Sequence, residues 1–320
     1  MAVMTNYSQV PEGQQVHQAW FEAPVKNYRG NSEYTEWFKS ILAEELAVLQ
    51  AFHSYQKSPD EAAHDITRPI SNSPVPNLGS YSDEIVALCH LWDVLVKALI
   101  EWPSSRTPDL IALLTAISNT PDSLHRGEAI DDDDSLLSWN RLPYIHMIWG
   151  DSHWMEPEDI VEECSKRDDY EAARQHGRDN YLKTQDVEAQ LVAAGLAYFD
   201  IKRAFDYLIF TLEWQLDPKV DRVEAPREEQ ASESFEPDFH IPAVTCWVKH
   251  TGRKLYEGLC NEEMKKWDLR DVPSVIKHFD QPAERWAFWK ERLVGVAKDW
   301  PDEFVRNAAE QAVKYMQDIA

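Results

Sequence analysis

The feature that most constrains this chain is the helical spacing of apolar residues through its last forty positions. In RWAFWKERLVGVAK (285–298), Trp286, Trp289, Leu293 and Val296 recur at i, i+3, i+7 and i+10. They therefore share one face of a helix whose other face carries Glu284, Lys290 and Glu291. In FVRNAAEQAVKYMQDI (304–319) the stripe reads Phe304, Ala308, Ala312, Met316 and Ile319, with small residues that admit a close neighbour helix. Earlier segments repeat this period. A helix is predicted from Glu33 to Gln56, another from Ser82 to the Trp102-Pro103 stop, and a shorter one from Thr107 to Ser118. A charged, exposed helical stretch is expected over 157–179, a long helix over 185–214 that crosses the whole bundle, and a further helix over 241–258. Residues 139–155 are broken by Pro143 and Gly150 and are assigned a short helix over 142–149.

No β-branched run alternates at period two, and only 10 glycines are present, which argues against a fold built from many tight turns. The predicted architecture is all-α, an irregular bundle of nine or ten helices. Residues 1–31 read as a partly disordered N-terminal arm and 32–320 as a single domain. That domain is interrupted by an acidic, proline-bearing excursion at 217–238.

The formal net charge is −24. Residues 241–320 hold 13 basic and 13 acidic residues, so the remaining 19 basic and 43 acidic ones fall in the first 240. Such a field repels nucleic acid and anionic membrane, and neither is expected as a partner. No window reaches the length of an apolar membrane span. Cys89, Cys164, Cys246 and Cys260 are widely spaced and lack the pairing of a zinc site, so they read as reduced thiols and the protein as cytoplasmic.

The chain resembles a fungal family of helical proteins known as domain of unknown function 3632. The resemblance rests on Leu91-Trp92, Trp139-Asn140-Arg141-Leu142-Pro143, the helix around Trp247 leading to Gly252 and Tyr256, Arg285-Trp286-Ala287-Phe288-Trp289-Lys290, and Asn307-Ala308 with Met316. It implies an all-helical fold and a setting in fungal specialised metabolism. It supplies no catalytic residues.

Candidate chemistry is therefore read from the residues. The densest stretch is Trp139 to Trp154, where Trp139, Tyr144, Trp149 and Trp154 could line a ligand pocket. His146 or His153 would transfer a proton there and Arg141 would steady negative charge, with Arg285 and Trp289 contributed by the closing helix. The alternative is that the same aromatics are an internal buttress. Asn180, Thr184 and Glu188 fall at i, i+4 and i+8, like the second magnesium motif of class I terpene cyclases, and Asp131 to Asp134 would have to supply its partner. Thr184 also reads as the N-cap of the long helix, which would break that spacing. No metal or cofactor is assigned. Three functions remain open: a cofactor-independent small-molecule protein of cyclase or isomerase type, a non-catalytic interaction protein, and a magnesium-dependent cyclase. The partner is accordingly a small-molecule ligand or another protein.

Overall fold

The structure is a computed structural model that describes residues 16–27, 33–72, 83–121, 138–153, 155–216, 235–260 and 282–319. Among the described residues it is 83% helical, with no strands and twelve α-helices, so the bundle class stands and the helix count is slightly higher than expected. The described residues form two compact units, Met1–Trp154 with Leu196–Tyr198, and Met155–Gly195 with Phe199–Ala320. The stretch read as one domain spans both.

The N-terminal unit contains α1 (Gln18–Asn27), α2 (Glu33–His53), α3 (Pro59–Asn72), α4 (Asp83–Glu101), α5 (Thr107–Ser118) and α6 (Ile145–Ser152). Within the stretch read as an arm, α1 is docked. Phe21 is buried, and Trp20 packs edge-on against Trp102 while its indole N–H donates to Glu101. A polar composition hid this, because two aromatic side chains carry the contact. Arg106 closes the end of α2, donating to the His53 carbonyl at 3.0 Å under the ring of Tyr55. A cation there also complements the helix dipole. In α2 and α4 the apolar residues Phe38, Leu42, Leu49, Leu88, Leu91, Trp92 and Leu95 are buried.

The C-terminal unit contains α7 (Pro157–Ser165), α8 (Tyr170–Ala194), α9 (Ile201–Leu208), a π-helical turn over Ile209–Gln215, α10 (Pro237–Cys260), α11 (Pro282–Asp299) and α12 (Glu303–Gln317). Helix α10 is its axis and packs along α8 and α12. The long helix expected over 185–214 does not exist as one rod. Gly195 adopts φ 73°, returns its N–H to Val192 O at 3.0 Å, and ends α8. The Lys254 ammonium donates to the C-terminal carbonyls of Val192 and Ala193, and Asp200 caps α9 by accepting from Lys202 N. A glycine at the left-handed position costs nothing and is the usual terminator, a signal that overrides the apolar period running through it.

In α11 the expected stripe is the buried one: Trp286, Trp289, Leu293 and Val296. In α12 the stripe is rotated from its expected setting. Val305, Ala309, Ala312, Val313 and Met316 are buried, whereas Phe304 is exposed and lies over the Arg178 guanidinium at 4.6 Å. Two overlapping stripes coexist in that sequence, sharing Ala312 and Met316, and the one carrying Val305, Ala309 and Val313 is the one buried against the neighbouring helices. Gly252 on α10 sets the same geometry, since a Cβ there would fall 2.5 Å from Ile319 Cδ1. The 157–179 stretch is not a free charged helix: Ile160, Cys164 and Ala173 are buried, and Arg174 is tied to Asp238 on α10 at 2.6 Å.

Candidate functional site

The residues singled out in the sequence divide between the two units. In the N-terminal unit, Trp139 is fully buried, packs edge-on to Trp92, and donates to Ser71 Oγ at 3.3 Å. Trp92 in turn donates to Pro143 O at 2.6 Å. Trp149 is buried, and Tyr144 is half-buried in the left-handed region at φ 66°. His146 is exposed and stacked on Tyr198 at 4.5 Å, and Arg141 is exposed. His153 lies against the Trp149 ring with Nδ1 3.0 Å from Trp149 O, and desolvation pushes its pKa down to about 4. An imidazole in that setting is neutral across the physiological range. The side chain of Trp154 lies outside the described residues, as do Asp131 to Asp134 and residues 217–234 of the excursion.

Arg285 and Trp289 lie in the C-terminal unit, where they meet Glu213 of the π-helical turn. The buried Glu213 carboxylate takes Arg285 Nε at 2.7 Å, a second Arg285 nitrogen at 2.9 Å and Trp289 Nε1 at 2.6 Å. Three donors on one carboxylate satisfy it without water, and the i, i+4 spacing on α11 is what lets both side chains reach it. This explains the Arg-x-x-x-Trp pattern as a clamp between α11 and the π-helical turn. Both residues, expected at a substrate, have this internal carboxylate as a partner.

Asn180, Thr184 and Glu188 all lie within α8, so Thr184 is no helix cap and the helical spacing is real. Their side chains have local partners: Thr184 Oγ1 donates to Asn180 O at 3.0 Å, Asn180 meets His176, and Glu188 pairs with Arg203. Among the described residues no group of three or more His, Cys, Asp or Glu side chains is placed to hold a metal.

A different arrangement emerges where α7, α8, α9 and α10 converge. His240, 1% exposed at the side chain, sits in the first turn of α10 with both ring nitrogens engaged. Nε2 is 3.1 Å from Glu158 Oε1 on α7, and Nδ1 is 3.0 Å from the Tyr207 hydroxyl on α9. Tyr207 Oη is 3.0 Å from Tyr181 Oη on α8. One residue from each of four helices thus joins a continuous hydrogen-bonded series. Phe235 stacks on the His240 ring at 5.2 Å and 13°, and Phe210 lies 5.6 Å away. Burial pushes both phenols well above the ordinary tyrosine range, so they are protonated hydroxyls at neutral pH. Next to the series, Asp238 accepts from Arg174 and Arg178 at 2.6 Å each, and these charge-assisted bonds fix the turn that carries His240. The same arginines hold the Asp238 carboxyl below its usual range, against the opposing pull of burial.

Sequence reading missed this site because its members stand 82 residues apart at the extremes, and none belongs to a local motif. The available hint was polar residues on otherwise apolar faces, above all His240 beside Phe239 and Ile241. Comparison with known proteins then places the chain. Residues 92–293 match the family model described as protein of unknown function (DUF3632). The chain belongs to that family. No curated protein and no solved structure matches it. Within the matched residues lie all four members of the hydrogen-bonded series as well as Glu213, Arg285 and Trp289. The matched stretch therefore covers both the hydrogen-bonded series and the Glu213 clamp of this chain, whereas α12 lies beyond it. No helix among the described residues is long and apolar enough to cross a membrane.

Proposed function

We propose that this family member acts on a small molecule by proton transfer, as a cyclase or isomerase of fungal specialised metabolism working in the cytoplasm. The observation that carries this reading is the series Glu158–His240–Tyr207–Tyr181. Its chemistry follows from its order. A carboxylate beside one imidazole nitrogen raises the basicity of the other, which faces a phenol. His240 takes the Tyr207 proton, Glu158 steadies the imidazolium, and the Tyr181 hydroxyl donates to the phenolate left behind. A phenolate in so apolar a setting is a strong base toward a C–H next to a carbonyl. The same chain returns one proton, exchanged with solvent while it is held, for the one removed, so the net reaction consumes none. That balance suits a rearrangement or ring closure better than hydrolysis. Tyr207, Phe210 and Phe235 are half-buried and offer the apolar edge such a substrate needs.

The test is incubation of the purified protein with a fungal small-molecule extract, followed by mass-resolved chromatography. Conversion of a compound into an isomer of the same mass supports the reading. An extract left unchanged, with no compound retained in native mass spectrometry, argues against it.

A second reading, a non-catalytic interaction protein, draws on a separate observation. In the N-terminal unit the exposed Tyr198, at φ 69°, stacks on exposed His146 beside exposed Met147. Left-handed backbone at bulky residues is costly and concentrates where function demands it. Capture of a partner that Tyr198→Ala abolishes, with the isomerisation assay blank, favours this reading.

A further inference from the structure

The order of donors along the relay is fixed by what each group can do. An ionised Glu158 only accepts, so Nε2 of His240 carries a hydrogen directed at it. In the neutral imidazole Nδ1 is then a bare acceptor, and the Tyr207 hydroxyl, 3.0 Å away, must donate to it. Tyr207 oxygen is left to accept from Tyr181, at 3.0 Å. All hydrogen bonds therefore run one way, from Tyr181 toward Glu158.

Adding one proton to Nδ1 makes His240 a donor on both sides. The Tyr207 hydroxyl can then no longer point at it and must turn toward Tyr181, whose own hydrogen must turn away. No O–H bond breaks: one proton is taken from solvent, and two hydroxyls rotate about their C–O bonds.

We infer that the Tyr181–Tyr207–His240–Glu158 series is a two-state switch, in which protonation of His240 reverses the direction of both phenol hydrogen bonds. In the neutral state Tyr207 can hand its proton inward and serve as a base. In the charged state it cannot. The gating of catalysis rests on the proton-transfer reading above; the reversal itself does not.

Charged and titratable groups reach His240 from several packed elements. From α7 the charged groups are Glu158 and, one residue before the helix, Glu156; both favour the imidazolium. From α8, Arg174 and Arg178 oppose it, but they are neutralised on Asp238 and Glu236. From α9 come Tyr207 and the exposed Arg203 and Asp206, and α10 itself adds Cys246 beyond Tyr207. From the π-helical turn Phe210 faces the ring while Glu213 is taken up by Arg285 of α11, and α12 meets α10 through Thr245 and the Ala308 carbonyl. Against Glu158 stands a cost: in the charged state the Tyr181 hydrogen loses its acceptor within the series.

The experiment is a pH titration of the full chain by NMR, with 13C in the tyrosine ζ carbons and the histidine rings, assigned through His240→Gln, Tyr207→Phe and Tyr181→Phe. The expected result is a single midpoint shared by His240, Tyr207 and Tyr181. In Tyr207→Phe, His240 still titrates and Tyr181 no longer responds. A wild-type Tyr181 resonance that ignores the His240 titration overturns the switch, as does one that still follows it in Tyr207→Phe. A His240 that shows no titration before acid unfolding overturns it too. Tyr→Phe removes one oxygen from each site, so loss of folding is not expected, and a blank isomerisation assay leaves this result standing by itself.

Discussion

The segment 138–153 and the relay around His240 are built from the same materials, tryptophan or tyrosine beside histidine, and they are put to opposite uses. In the first, three ring nitrogens meet backbone carbonyls or a serine: Trp92 on Pro143 O, His153 on Trp149 O, Trp139 on Ser71. Such partners do not titrate, so the segment holds shape. In the second, every polar atom meets another group that can gain or lose a proton. Density of aromatic and histidine residues in sequence marks neither case. The identity of the partner decides, and partners are a property of the fold.

The largest effect that would sharpen this contrast is expected at Trp139. Trp139→Ala should destabilise the N-terminal unit by about 3–5 kcal/mol, as large core truncations do, while leaving the His240 titration unchanged. Chemical denaturation alongside NMR reads both, and a small loss would break the buttress account.

Next comes His153. Its folded pKa of about 4 lies below the ordinary 6.5, so the unfolded chain binds more protons between these values. Stability therefore rises with pH through that window. The full contribution is present above about 6.5 and is lost by about 4, a change of at most ~3 kcal/mol. Denaturation at pH 4.5 and 7.5 should show this slope in wild type and a flatter one in His153→Gln.

A smaller effect is expected at the relay. His240→Gln strands Glu158 and Tyr207 and should cost about 1–3 kcal/mol, the desolvation of a buried group left unmatched. A loss above that range, equal to Trp139→Ala, would make the relay a structural pin like the segment it is contrasted with.

Glu45 on α2 gives a fourth probe. It is 2% exposed, one oxygen has no hydrogen-bond partner, and burial raises its carboxyl well above the usual range. A raised carboxyl pKa contributes stability at low pH that is lost as pH rises. Glu45→Gln should remove that slope, measurable by thermal melts between pH 5 and 9. The smallest effects belong to His146→Ala and Arg141→Ala, which should stay within about 0.5 kcal/mol, as surface changes usually do.

Much of the architecture could be read from spacing alone. The α11 stripe, α2, α4 and the all-helical class follow from apolar period, because burial of one face is a local constraint. The break at Gly195 was written in the sequence too, but a continuing apolar pattern masked it. The α12 stripe shows the limit: two overlapping faces are encoded, and the neighbours on α10 and α11 choose between them. The site was least legible. Arg285 and Trp289, expected at a substrate, share Glu213, 72 and 76 residues away, and His240 is not legible until Glu158 and Tyr207 stand beside it.

The measurement that bears most directly on the relay as the functional centre is turnover in D2O with wild type, His240→Gln and His146→Gln, using whichever extract component the wild type isomerises. The expected result is one deuterium in the rearranged product from wild type and His146→Gln, and a rate lower by about 10²–10⁴ in His240→Gln. A full rate in His240→Gln, or a loss confined to His146→Gln, would return the chemistry to the aromatic segment and contradict the account.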